Sequence, residues 1–136
     1  MEIKTICKTV MELYQFADTV KKIHYSTDSN HAHELCDRVR DTINDFADEL
    51  AEQMFGYIGK PNFTDFPALN DLSIPETEDL GKLCVGVPER LEALRTELEK
   101  DPKLSGTVSL IDDFKGNMQK LSFLCTFDKV SSYRRN

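Results

Sequence analysis

From Ile3 onward the apolar residues Ile3, Ile6, Val10, Leu13, Ala17 and Val20 follow one another at steps of three or four. That rhythm keeps one face of an α-helix apolar over successive turns and does not fit the two-residue alternation of a half-buried strand. It returns in Leu35, Val39, Ile43, Phe46, Leu50 and Met54, and again in Val108, Ile111, Phe114, Met118, Leu121 and Cys125. Stripes of this kind are buried by pairing helix against helix, so an all-α fold is expected.

Punctuation divides the chain into four main helices. The first runs to about His24, and Ser26-Thr27-Asp28-Ser29-Asn30 then supplies turn formers and cap side chains, so a second begins near Asn30. Gly59-Lys60-Pro61 ends it near Ile58. Residues 60–75 hold prolines and small polar residues, but also Phe63, Phe66, Leu69, Leu72 and Ile74, which predicts a long packed crossover containing a short helix. A third helix is expected from Glu76 to about Lys100, interrupted at Gly86-Val87-Pro88, where the proline either starts a fresh helix or kinks a continuous one. The last helix opens at Ser105-Gly106-Thr107 and should fray near Ser131. The expectation is a four-helix bundle in a single domain, 1–136, with its long connection between the second and third helices.

Composition excludes several function classes. The net charge of −7 repels polyanions, and the only basic clusters are Lys21-Lys22 and the tail Tyr133-Arg134-Arg135-Asn136, so nucleic-acid binding is disfavoured. No apolar run suits a membrane span, and the charged start Met1-Glu2-Ile3-Lys4 is unlike a secretory signal, so a cytoplasmic protein is expected. Cys7, Cys36, Cys84 and Cys125 form no close pair in sequence, which excludes the short ligand spacings of zinc modules and reads as buried thiols in a reducing compartment.

One pattern on the second helix suggests chemistry. At about 100° per residue, with His33 at zero, Asp37 lies at about 40°, Asp48 at about 60° and Glu52 at about 100°. The apolar seam of the same helix centres near about 250°, so the four polar residues form a stripe facing away from the core. Imidazole and carboxylate together suit ferrous iron. A di-iron centre inside one bundle would need core-facing Glu and Glu-x-x-His pairs. That pattern is missing: the last helix has Asp112 and Asp113 near its start and then no Glu or His before its end, and the third has no His. Any metal site on this stripe therefore needs a second subunit or an open surface. The competing reading of the stripe is a solvated helix face, with His24 a core residue of the first helix and His31 facing water.

The segment from Ile23 to Gly56 resembles the first half of the Dps mini-ferritins of the ferritin-like superfamily. His24-Tyr25 matches the His-aromatic pair that ends the family's first helix, His33 its Leu-His opening of the second, and Asp48-Glu49-Leu50-Ala51-Glu52 its Asp-x-x-Ala-Glu motif. The His33 to Asp48 interval, Asp37 one turn after His33, and Leu72-Ser73-Ile74 in the crossover also agree. A looser likeness is to mini-ferritin-like proteins encoded by bacteriophages, for which host cytoplasm or virion would be the location. The resemblance implies a ferritin-like bundle assembling at least as a dimer and up to a dodecameric shell. It implies iron bound between subunits by His24, His33 and Asp37 of one chain and Asp48 and Glu52 of a two-fold partner. His33, Asp48 and Glu52 would carry ferroxidase chemistry, with Fe(II) oxidised by peroxide or oxygen for storage and oxidative protection. Tyr25 stands where the family usually has Trp, and the lysine-rich tail is absent. The stretch between His24 and His33 is shorter than the family's, which leaves His31 as an alternative to His24. The alternative function is a metal-free bundle that serves as an interaction or structural protein.

Overall fold

The computed structural model describes the backbone of residues 1–134 and the side chains of residues 1–127, so the basic tail ending at Asn136 lies outside the described side chains. The fold is all-α. Helix α1 spans Ile3–Ser26, α2 Asn30–Ile58, α3 Leu80–Glu89, α4 Glu92–Leu98 and α5 Ser105–Arg134, with one-turn 3-10 helices at Phe63–Asp65, Leu69–Asp71 and Pro102–Leu104. No strand occurs among the described residues, and no helix there is long and apolar enough to cross a membrane.

Both ends of α2 lie where local chemistry sets them. The Ser29 hydroxyl accepts the Ala32 N–H at 3.0 Å and so satisfies one of the unpaired donors of the first turn. At the other end Gly59, with φ of 112°, takes a conformation other residues avoid while its N–H still bonds the Phe55 carbonyl.

The third expected helix starts later and is split. Thr77 caps the Asp79 N–H and Asp79 in turn caps Lys82, so helix begins at Leu80, while Glu76 is spent on an ion pair with Lys22. The break falls just after the expected Gly86-Val87-Pro88 interruption, with Pro88 in the last turn of α3 rather than opening α4. Val87 and Pro88 carbonyls accept from Arg90 and Leu91 in tight i to i+3 turns, which separates α3 from α4 yet leaves Leu91, Leu94 and Leu98 buried. The crossover packs on one side only: Leu72 is buried and Phe66 meets Phe55 edge to face, whereas Phe63 is 94% and Leu69 71% exposed. Helix α5 continues to Arg134, past Ser131, because serine weakens a helix without breaking it.

Contacts between elements fix the directions of the helices. The start of α3 shares a cavity with the end of α1 and the start of α2, through Glu78 and Leu80 against Ile23 and Leu35. The start of α5 meets the end of α2, where Thr107 donates to Gln53 at 2.8 Å. His31 at the start of α2 donates its Nε2–H to the Leu124 carbonyl far along α5, at 2.7 Å. Helix α1 therefore runs up, α2 down, α3 and α4 down, and α5 up, with the crossover returning along the length of the molecule. The main neighbours are α1 with α2, α2 with α5, α5 with α3, and α3 with α1, each pair antiparallel.

One core fills the space between them. Ile6, Val10, Leu13, Val20, Val39, Ile43, Leu50, Met54, Leu91, Leu98, Ile111 and Met118 are all at most 3% exposed. The apolar seams read from the sequence are thus the buried faces, apart from partial exposure at their ends, Ile3, Val108 and Cys125. Three of the four cysteines, distant in sequence, converge between α2, α3 and α5 (see below).

Ion pairs tie α4 to α5. Arg95 holds Asp112 with two nitrogens, at 2.7 and 3.0 Å, and Glu99 with a third contact. The Arg95 hydrogen bond holds the Asp112 carboxyl below its ordinary value, and at Asp101 the Tyr57 hydroxyl does the same. A carboxyl with a lowered folded pKa stabilises the fold above its unfolded value, near about 4. That contribution is lost as pH falls through the lower folded value. Asp112→Asn should therefore melt below the wild type at neutral pH, with the gap closing in strong acid. A gap that stays constant over a pH series of melting curves would contradict this account.

Candidate metal centre

The turn between α1 and α2 is three residues long, Thr27 to Ser29, and it folds tightly. The Thr27 N–H bonds the Ile23 carbonyl at 2.9 Å, and the Thr27 hydroxyl accepts the Ser29 N–H at 3.2 Å. This brings the last turn of α1 against the first turn of α2 and sets His24 face to face with His33, ring centroids 3.8 Å apart and 17° from parallel.

The two rings are joined reciprocally. His24 Nδ1–H donates to the His33 carbonyl at 2.8 Å, and His33 Nδ1–H donates to the His24 carbonyl at 2.6 Å. Because a carbonyl can only accept, both Nδ1 atoms must carry hydrogen, and in the neutral rings both Nε2 atoms keep their lone pairs. The His24 carbonyl is one of those left without an intrahelical donor at the end of α1, so the pair also caps the helix. Metal-ligating histidines are commonly fixed in this way, one ring nitrogen donating to a backbone carbonyl while the other faces the ion.

Asp37 stands one turn further along α2, its Oδ1 4.0 Å from His24 Nδ1. His24 is the more enclosed of the two histidines, its side chain 11% exposed, with Tyr25 edge-on to its ring at a centroid distance of 5.2 Å. It is therefore largely enclosed and hydrogen-bonded, as a satisfied residue at the end of the α1 seam would be, and it is in contact with His33. His31 takes no part: its Nε2–H is given to Leu124 on α5, and it lines a cavity with Leu35 and Cys125. The shorter turn draws His24 and His33 together and sends His31 to the opposite side.

Asp48 and Glu52 are exposed further down α2, as are His33 and Asp37. Their neighbour, which the sequence reading missed, is Tyr14 on α1. Burial first, and then the charges of Asp48 and Glu52, raise its hydroxyl above the ordinary phenol value. Its signal in the sequence was faint: it sits next to Leu13, at the margin of the first apolar seam. Glu34, Asp41 and Asp45 are exposed on the same side of α2, at about 80 to 120° on the wheel that places His33 at zero.

The stripe is thus two separate groups of residues. Asp37 and Asp48 are separated along the axis by about 16 Å at the helical rise of about 1.5 Å per residue, whereas ligands of one ion lie within a few ångströms of each other. Among the described residues, no three His, Cys, Asp or Glu side chains of one chain come together as a set able to hold a metal ion. The arrangement sets two imidazoles and a carboxylate, His24, His33 and Asp37, near the start of α2, and two carboxylates, Asp48 and Glu52, further along it. Compared with known protein families, with curated proteins and with solved structures, the chain matches none of them.

Proposed function

We propose that this chain is a ferritin-like four-helix bundle of the Dps mini-ferritin type, which binds ferrous iron between two copies and oxidises it. The observation that carries the reading is the reciprocal His24–His33 pair, which fixes the tautomer of both rings and leaves two Nε2 lone pairs, with Asp37 4.0 Å from His24 Nδ1. The up, down, down, up course of the helices, with its long return between α2 and α3, supports the ferritin-like part of the proposal.

A two-fold partner running antiparallel along α2 brings Asp48 and Glu52 of one chain to His24, His33 and Asp37 of the other, twice per dimer. Two such acidic faces repel, and cations between them relieve the repulsion, so iron and dimerisation favour one another. Iron is the substrate. Two ferrous ions each give one electron to a peroxide, its O–O bond breaks, and two protons complete two waters. The carboxylates hold the ferric product more tightly than the ferrous ion, and they draw cations toward the face beforehand.

Anaerobic titration with Fe(II) followed by peroxide should give a saturable ferric absorbance, lost in the double variant His33→Ala, Glu52→Ala. Intact protein without saturable iron uptake would remove the proposal. A second reading, a metal-free interaction scaffold, is favoured by the aromatic pair Phe123 and Phe127, 61% and 50% exposed on α5 with ring centroids 5.1 Å apart. Native mass separates the two, a metal-free monomer supporting the scaffold and a metal-loaded dimer or larger shell the mini-ferritin.

A further inference from the structure

The cysteines far apart in sequence meet where α2, α3 and α5 pack. Cys84 on α3 and Cys125 on α5 are neighbours, close enough for Cys125 to raise the Cys84 thiol, and Cys36 on α2 lies near both. The two helices lie side by side here: a Cβ built on Gly81 of α3 would stand 3.6 Å from the Cβ of Cys125, an ordinary van der Waals contact. Cys84 is one helical turn beyond Gly81, on the same face of α3. The His31 bond to the Leu124 carbonyl pins this turn of α5 in place.

The three thiols differ in access. Cys36 and Cys84 are each 1% exposed, whereas Cys125 is half-buried and borders two cavities, of about 310 and 420 Å³. One is lined by His31, Leu35 and Asp79 and the other by Val85 and Ser122, so Cys125 is the one of the three that stands at a cavity wall open to small molecules.

We propose that Cys84 and Cys125 form an oxidisable dithiol, closed to an intrachain disulfide between α3 and α5 by a small peroxide that enters at Cys125. The Cys125 thiolate attacks one peroxide oxygen, the O–O bond breaks, and the hydroxide released takes a proton to become water, leaving Cys125 as a sulfenic acid. The Cys84 sulfur then attacks the Cys125 sulfur. The S–O bond breaks, and the departing hydroxide takes the Cys84 proton to leave as a second water. Two thiols and one hydrogen peroxide thus give one disulfide and two waters. The order of events follows from access, since Cys125 borders both cavities and Cys84 is 1% exposed. The neighbouring Cys125, and then burial, raise the Cys84 thiol, so the buried partner keeps its proton until the second step.

Stoichiometric hydrogen peroxide added to the reduced full-length chain, followed by thiol blocking and non-reducing peptide mapping, tests this. The expected product is a cross-linked peptide pair containing Cys84 and Cys125, lighter by two hydrogens, in a monomer that melts several degrees higher. The cross-link should persist in Cys36→Ser and vanish in Cys84→Ala, an apolar replacement chosen to keep the fold, in which Cys125 then accumulates oxygen. A Cys36 cross-link, a disulfide between chains, or Cys125 carried to sulfinic acid while Cys84 stays reduced would overturn the proposal.

Discussion

Mixing equal amounts of His33→Ala and Glu52→Ala chains should restore iron binding to about a quarter of the wild-type capacity, one site of two in the mixed dimers that make up about half of the population, although neither variant binds appreciably alone. The expectation follows from the distance along α2. A site in one chain cannot use both His33 and Glu52, so the proposed site takes the first from one copy and the second from the other. In a mixed dimer both losses fall on one site and the other is intact. Each parent homodimer is defective at both sites, with an affinity loss of at least about tenfold to a hundredfold, the range found when even the residues supporting a metal ligand are removed. Native mass would verify that mixed dimers form, and Fe(II) titration would count their sites. If mixed dimers prove as inactive as the parents, the site is not shared; if either parent binds as the wild type does, that residue is no ligand.

Phe114→Ala should cost about 3–5 kcal/mol of folding stability, the range for deleting a buried aromatic ring. Phe114 is 3% exposed and its ring lies flat on Phe46 of α2, centroids 4.0 Å apart and 9° from parallel. The pair carries much of the join between α2 and α5, and alanine at 114 leaves the Phe46 ring with no partner on one face. Since whole domains are stable by about 5–15 kcal/mol, the loss should lower the melting temperature by roughly 10–20 °C. Phe123→Ala, which removes the same ring from the outer side of the same helix, should change stability by less than about 0.5 kcal/mol. Equal shifts in the two variants would mean that the packing of α5 is not as described.

These two phenylalanines also show what was legible in the sequence. Phe114 fell on the apolar rhythm of the last helix and Phe123 did not, and burial follows that difference. The limits of α2 were legible for a similar reason, since Ser29 and Gly59 act on their own turn. The start of α3 was not, because Thr77 and Asp79 form a local cap that ends the extended crossover four residues after Glu76. The outward position of His33, Asp37, Asp48 and Glu52 could be read from a helical wheel. The reciprocal bonding of His24 and His33 could not, because it depends on how a three-residue turn folds back. Tyr14 beside Asp48 and Glu52, and Cys84 beside Cys125, arise from the rotation of one helix against another, which periodicity within a single helix does not encode.

The alternating course of the helices has an electrostatic consequence of its own. Each α-helix carries partial positive charge at its start and partial negative charge at its end. Here one end of the molecule gathers the starts of α2 and α3 with the finishes of α1 and α5, and the other end gathers the converse set. Around the ring these dipoles oppose one another in neighbouring pairs, so neither pole of the molecule acts as a lens for ions. The far field felt by an approaching cation is then the work of side chains, in a chain whose net charge is −7.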